Sequence, residues 1–230
     1  MVVLLVVMGV GAVRAEPAGV EARVAALEAL TAGLMWDGRT LQVVGNLQLV
    51  NGVSGPASCT ENNGLGNLVL GRNVDGAVFG SHSLVVGDGH VVFGSCSVAV
   101  GEGHVMTAPQ AVAMGGAEAF VLAPYGTVVG GQGGRIFADA SYGAIVGGQL
   151  SEVWAPYGSV SGGYQNRVHG DWGWVGGGNH DEARGILSTA VGGWFARADG
   201  ARSVAVGSFA EADGADAVAV CQPVVSECRP

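Results

Sequence analysis

Short apolar runs in this 230-residue chain close on a glycine at positions 71, 87, 101, 115, 130, 147, 162, 177, 192 and 207, with Cys221 in the next equivalent place. The spacing is 14–17 residues throughout and divides 66–221 into eleven units. A unit of that length has no room for a strand and a packed helix. Its runs of four or five largely β-branched residues, such as SVAVG at 97–101 and again at 203–207, read as strands. Two short strands and two tight turns per unit, stacked about 4.8 Å apart, give an all-β parallel β-roll or β-solenoid. Eleven 14–17-residue coils make a rod, roughly 50 Å long at that spacing. Glycine suits the corners because it takes positive φ and lets backbones approach closely.

Alternation along a strand sorts side chains into inward and outward sets. In SVAVG, Val204 and Val206 fall on one face and Ser203 and Ala205 on the other, and hydrophobicity sends the valines inward. In the V-x-G-G units two registers one residue apart are open, and a slip between them exchanges the inner and outer sets. The preferred inward set is Val128, Ile145, Val160 and Val175, because the next position (Val129, Val146, Ser161, Gly176) varies in polarity as an outer site does. The remaining outer positions are mostly alanine, serine, glycine and valine. Faces so poor in charge aggregate unless covered, and lateral association of several rods covers them.

Ahead of the rod, Val20, Val24, Leu27, Thr31 and Leu34 recur at alternating spacings of four and three, with Glu21, Arg23 and Glu28 off the seam. Residues 16–35 therefore read as a short coiled-coil-like helix that registers neighbouring chains, or as a single amphipathic helix folded back on the rod. Residues 36–65 read as a connector and N-terminal cap, 66–221 as the repeat domain and 222–230 as a C-terminal tail. Residues 1–15, MVVLLVVMGVGAVRA, have the apolar run of a signal peptide, and Val13-Arg14-Ala15 fits cleavage before Glu16. The expected location is secreted, on an extracellular surface.

Composition narrows the partners. Charged residues are only 13% of the chain, against about 25% in ordinary soluble domains. Yet no apolar run reaches the ~20 residues of a membrane helix, so no transmembrane span is expected in the mature chain. Net charge is −9, and the ten basic residues are all arginines scattered singly. That argues against nucleic acid, which needs a concentrated basic face. The four cysteines are not at C-x-x-C spacing and fit disulfides in an exported protein. Cys221 and Cys228 can close a C-terminal loop and Cys59 and Cys96 can staple the start of the repeats, though spacing alone does not fix the pairing.

The paired SVAVG copies, the A-x-A-x-G segments at 196–200 and 210–214 and the 14–15-residue period resemble the YadA-like head of trimeric autotransporter adhesins. GNLQLVNG (45–52), NGLGNLVLG (63–71) and the SVSGG unit at 159–163 are similar to a broader set of secreted bacterial and viral repeat proteins. Together these cover 45–221. The resemblance implies a left-handed parallel β-roll, a homotrimer, and adhesion to a host surface, matrix protein or glycan. The family's membrane barrel and stalk fall outside the part that matches.

Candidate chemistry is sparse. APYGTVVGG (123–131), ASYGAIVGG (140–148) and APYGSVSGG (155–163) place Tyr125, Tyr142 and Tyr157 at one point of successive coils, with Trp172 next. These aromatics should stack as a ladder, stabilising neighbouring coils or offering a strip to carbohydrate, matrix protein or a partner subunit. VGDGH (86–90) and VGEGH (100–104) put Asp88 under Glu102 and His90 under His104. Those are ligand types for zinc or another divalent metal, although duplication of a solvated turn gives the same pattern. No nucleophile elbow, phosphate loop, hexapeptide period or threonine ladder is present, and no cofactor is implied. The sequence thus reads as a non-enzymatic adhesin or fibre head. A structural repeat protein of an extracellular coat or virion is the alternative, and a metal- or ligand-binding solenoid a third.

Overall fold

The computed structural model describes residues 34–43, 63–71 and 76–221, together with Glu21, Val24, Ala25, Glu28, Leu49 and Cys59. The expected signal peptide and the tail 222–230 lie outside the described residues. The chain divides into two units, 1–48 and 49–230.

In the first unit Glu21, Val24, Ala25 and Glu28 are helical and exposed, while Val20, Leu27 and Thr31 of the expected seam are not among the described residues. Leu34 corrects that seam, because it lies in a strand. Leu34–Trp36 pairs antiparallel with Leu41–Val43. The carboxylate of Asp37 accepts the Arg39 and Thr40 N–H groups at 2.8 and 2.6 Å, closing the turn between the strands. Such a side-chain turn competes directly with extension of a helix. The same bonds, Thr40's first, hold the Asp37 carboxyl below its ordinary range.

The second unit is a parallel β-solenoid of about ten turns, whose described residues form a broad sheet of eleven strands and a narrow sheet of ten. The chain alternates between them. Thr127–Val129 of the broad sheet is followed by Arg135–Ile136 of the narrow one, and Ala144–Val146 then returns to pair parallel with Thr127–Val129. Each narrow-sheet strand is two residues long, so each coil offers that sheet one inward and one outward side chain, as at Arg135 and Ile136. Two such sheets face each other across an interior one side chain deep from either side.

Register decides what enters it. Val128, Ile145, Val160 and Val175 are in one ladder column and are all but fully buried, as expected. The same column continues through Ala190, Ala205 and Ala219. The inward assignment of Val204 and Val206 is therefore wrong: Ala205 and Ser203 are buried, and the two valines are half-buried on the outer face. Hydrogen-bonded parallel neighbours share a face, so the bulky column in the middle coils fixes alanine as the inner residue of SVAVG. Across the interior, Val121, Ile136, Val153 and Val168 give way to Ala183, Ala198 and Ala212.

Small residues at the corners let coils touch through backbone. A Cβ added to Gly185 would lie 2.0 Å from the Gly200 carbonyl oxygen. The coil at Gly185 closes on its neighbour only without a side chain.

The outer faces differ in kind. Successive outward positions on the narrow sheet are Arg135, Glu152, Arg167, Glu182, Arg197 and Glu211. Arg167 bridges Glu152 and Glu182 at 3.3 and 3.5 Å, and Arg197 reaches Glu211 at 3.2 Å. The outward positions of the broad sheet carry no charge from Val112 to Val220.

Candidate functional site

The exposed aromatic edge is formed where each coil turns from the narrow to the broad sheet. One residue of that turn is left-handed in every coil from His82 to Asp216. Tyr125, Tyr142, Tyr157 and Trp172 occupy it with φ of 60°, 62°, 57° and 58°. Fixing the backbone this way aims four side chains along one line. Ring centroids are 4.6, 5.0 and 3.9 Å apart, with planes within 5° of parallel. The rings face each other, so what they offer solvent is their edges and the three phenol groups. Each is 42–55% exposed.

The same column carries other chemistry at its ends. Cys96 lies in it and is bonded to Cys59, with Cα atoms 5.4 Å apart. Further on, Arg202 makes a bidentate pair with Asp216 at 2.6 and 2.7 Å. Cys221 is also disulfide-bonded, while Cys228 is outside the described residues.

Asp88 and Glu102 pair in register at the ends of neighbouring strands and are exposed. His90 and His104 point into the interior and are fully buried. The His90 Nδ1 accepts the His104 N–H at 3.2 Å, and its Nε2 lies 3.1 Å from the Val86 carbonyl. His104 repeats the arrangement with Ala119 N–H and the Val100 carbonyl at 3.2 and 3.0 Å. One tautomer, protonated at Nε2, satisfies both bonds of each ring. Burial first, with His90 beside it, pushes the His104 pKa down from 6.5 against the pull of the Val100 carbonyl. The two imidazoles thus serve the backbone, and among the described residues no group of three or more His, Cys, Asp or Glu is placed to hold a metal ion.

Three features escaped the sequence. Phe137, Trp154 and His169 stack on the outside of the narrow sheet at 3.5 and 5.8 Å. At the opposite corner His180, Phe195 and Phe209 stack at 4.9 and 6.0 Å. The third is the buried polar column itself, which Asn166 and Asp181 continue in later coils. All are visible once units are aligned on the narrow strand, where Phe137, Trp154 and His169 each follow an inner residue. Aligning only on the broad-strand glycine hides them.

Among the described residues no helix is long and apolar enough to cross a membrane. No protein-family model, curated protein or solved structure gives a significant match to this chain.

Proposed function

We propose that this chain is a non-enzymatic, secreted surface adhesin or fibre head of the kind its repeats resemble, binding host surface, matrix protein or glycan through the outside of the roll. The observation that carries this reading is the unbroken aromatic edge at Tyr125, Tyr142, Tyr157 and Trp172. Exposed aromatic rings with polar tips are the side chains most enriched at recognition surfaces. Here hydrogen-bonded coils hold them in line, which lowers the entropy lost on binding.

Assembly as a homotrimer belongs to the same reading. A chain of net charge −9 meets its own copies best through a face without charge, and the outer broad sheet supplies one from Val112 to Val220. That face also favours the second reading, a structural subunit of an extracellular coat or virion, in which sister molecules are the only partners.

Binding of the purified chain to immobilised matrix proteins and a glycan array distinguishes the two. Replacing the three tyrosines together by phenylalanine keeps the stack and removes the hydroxyls. The adhesin reading expects at least ~10-fold weaker binding with unchanged melting, one hydrogen bond to each phenol being enough for that loss. Wild-type protein that binds none of these surfaces defeats it.

A further inference from the structure

The interior column that begins at His90 holds one residue whose chemistry does not match its place. At His90, His104 and Asn166 in this column one side chain does two jobs, whereas the shorter Ser151, buried in the same column, has a hydroxyl without a hydrogen-bond partner. The longer side chain accepts the N–H of the residue one coil on, and it gives a hydrogen to the carbonyl four residues back. His90 and His104 do so as described. Asn166 does so with the Asp181 N–H at 2.9 Å and the Gly162 carbonyl at 2.9 Å. Asp181 performs the first job, its Oδ1 accepting the Ala196 N–H at 2.8 Å. The second job needs a donor, which a carboxylate lacks. Its Oδ2 is buried without a hydrogen-bond partner, on a side chain with no exposed surface. The carbonyl four residues back is that of Gly177.

We propose that Asp181 is held in the folded chain as a neutral carboxylic acid whose Oδ2 carries a proton toward the Gly177 carbonyl, and that losing this proton loosens the turn at 177–181. The device is a proton-operated latch between two coils. Among the described residues no positive charge acts on the group. Asn166 and Ala196 are the column neighbours on either side, and Val168, Ala183 and Ala198 line the narrow sheet beside it. Facing it from the broad sheet are Val175 and Ala190. Arg167, Glu182 and Arg197 stand at outward positions and pair among themselves and with their neighbours there. His180 bonds Asn179 and packs on Phe195.

Burial pushes the carboxyl from 3.8 up to about 6, opposed only by the Ala196 N–H. A raised folded value means the folded chain keeps a proton that the unfolded chain sheds. Stability from this group is therefore full below pH 3.8, and is lost as pH rises through about 6. His104 acts in the opposite direction, since its depressed value costs stability as pH falls below 6.5. Only a comparison that changes Asp181 alone isolates the latch.

Asp181→Asn in the full chain supplies that comparison, because Asn166 shows that an amide makes both bonds. Melting should be nearly equal for the two proteins at pH 4, and at pH 7.5 the variant should melt ~5 °C or more above wild type. A difference that is the same at both pH values, or a variant that melts lower at pH 7.5, overturns the proposal. So does a wild type that sodium or calcium stabilises at pH 7.5 when the variant is not, since a cation would then fill the place of the proton. Should the variant not fold, carboxyl carbon NMR of the wild type decides the matter: titration of Asp181 near 6 supports the latch, and titration near 3.8 refutes it.

Discussion

Tyr142 shows how a single residue balances strain against contact. Its φ of 62° is a conformation that glycine adopts freely and a ring-bearing residue does not. The left-handed backbone costs about 1–2 kcal/mol. Stacking on Tyr125 and Tyr157 returns about 0.5–1.5 kcal/mol for each pair. Tyr142→Ala keeps the strain and loses both stacks, so it should destabilise by about 2 kcal/mol. Tyr142→Gly loses the stacks but relieves the strain, and should be about 1 kcal/mol less damaging than alanine. Urea unfolding of the two variants measures the difference, and a glycine variant weaker than the alanine variant would refute the strain account. The ladder itself was legible in the sequence, because the same letters recur at one interval. The left-handed backbone beneath it was not, since nothing about tyrosine signals positive φ.

At the scale of a strand and its corner, backbone contact matters more than side-chain bulk. Gly185→Ala would place a methyl 2.0 Å from the Gly200 carbonyl oxygen, and only separation of two coils relieves that clash. A loss above about 3 kcal/mol is expected in equilibrium denaturation, in the range of severe core disruptions. Gly192→Ala meets no atom within 4 Å and bears only its positive φ of 65°, so about 1 kcal/mol is expected there. Equal losses at the two sites would show that close packing is not what makes Gly185 necessary. Register explains where sequence reasoning failed at this scale. Val204 and Val206 are more apolar than Ala205, yet pairing with Thr189 and Val191 fixes their face regardless of preference. Local hydrophobicity identified the strands. It did not say which way they point, because that is a property of the stack. Alanine at Ala190 and Ala205 removes two carbons per strand relative to valine, about 1.6 kcal/mol of burial. The ion pairs around Arg184 and Arg197 fall on these thinner coils.

For the molecule as a whole, the two outer faces set different expectations. Charges of alternating sign run along the narrow sheet from Arg135 to Glu211, while Val129, Val146, Val191 and Val206 stand on the broad one. Val146 is 56% exposed in the single chain, so Val146→Glu should fold normally. Sedimentation equilibrium should find a trimer for the wild type and a monomer for the variant, and a monomeric wild type would leave the broad face in need of some other cover. The fold class was readable from the period, since fifteen residues permit little else. The candidate metal corner was not resolved that way: repetition placed His90 under His104, but only the closed coil shows their rings turned inward to the backbone. Because Ala144 and Ser159 hold the same place one turn apart, an in-frame excision of 144–158 would rejoin like to like. A matching duplication would add a layer with no novel junction. Slippage of fifteen codons in the gene thus becomes a change of reach, and the lengths available to descendants of this chain come in whole steps.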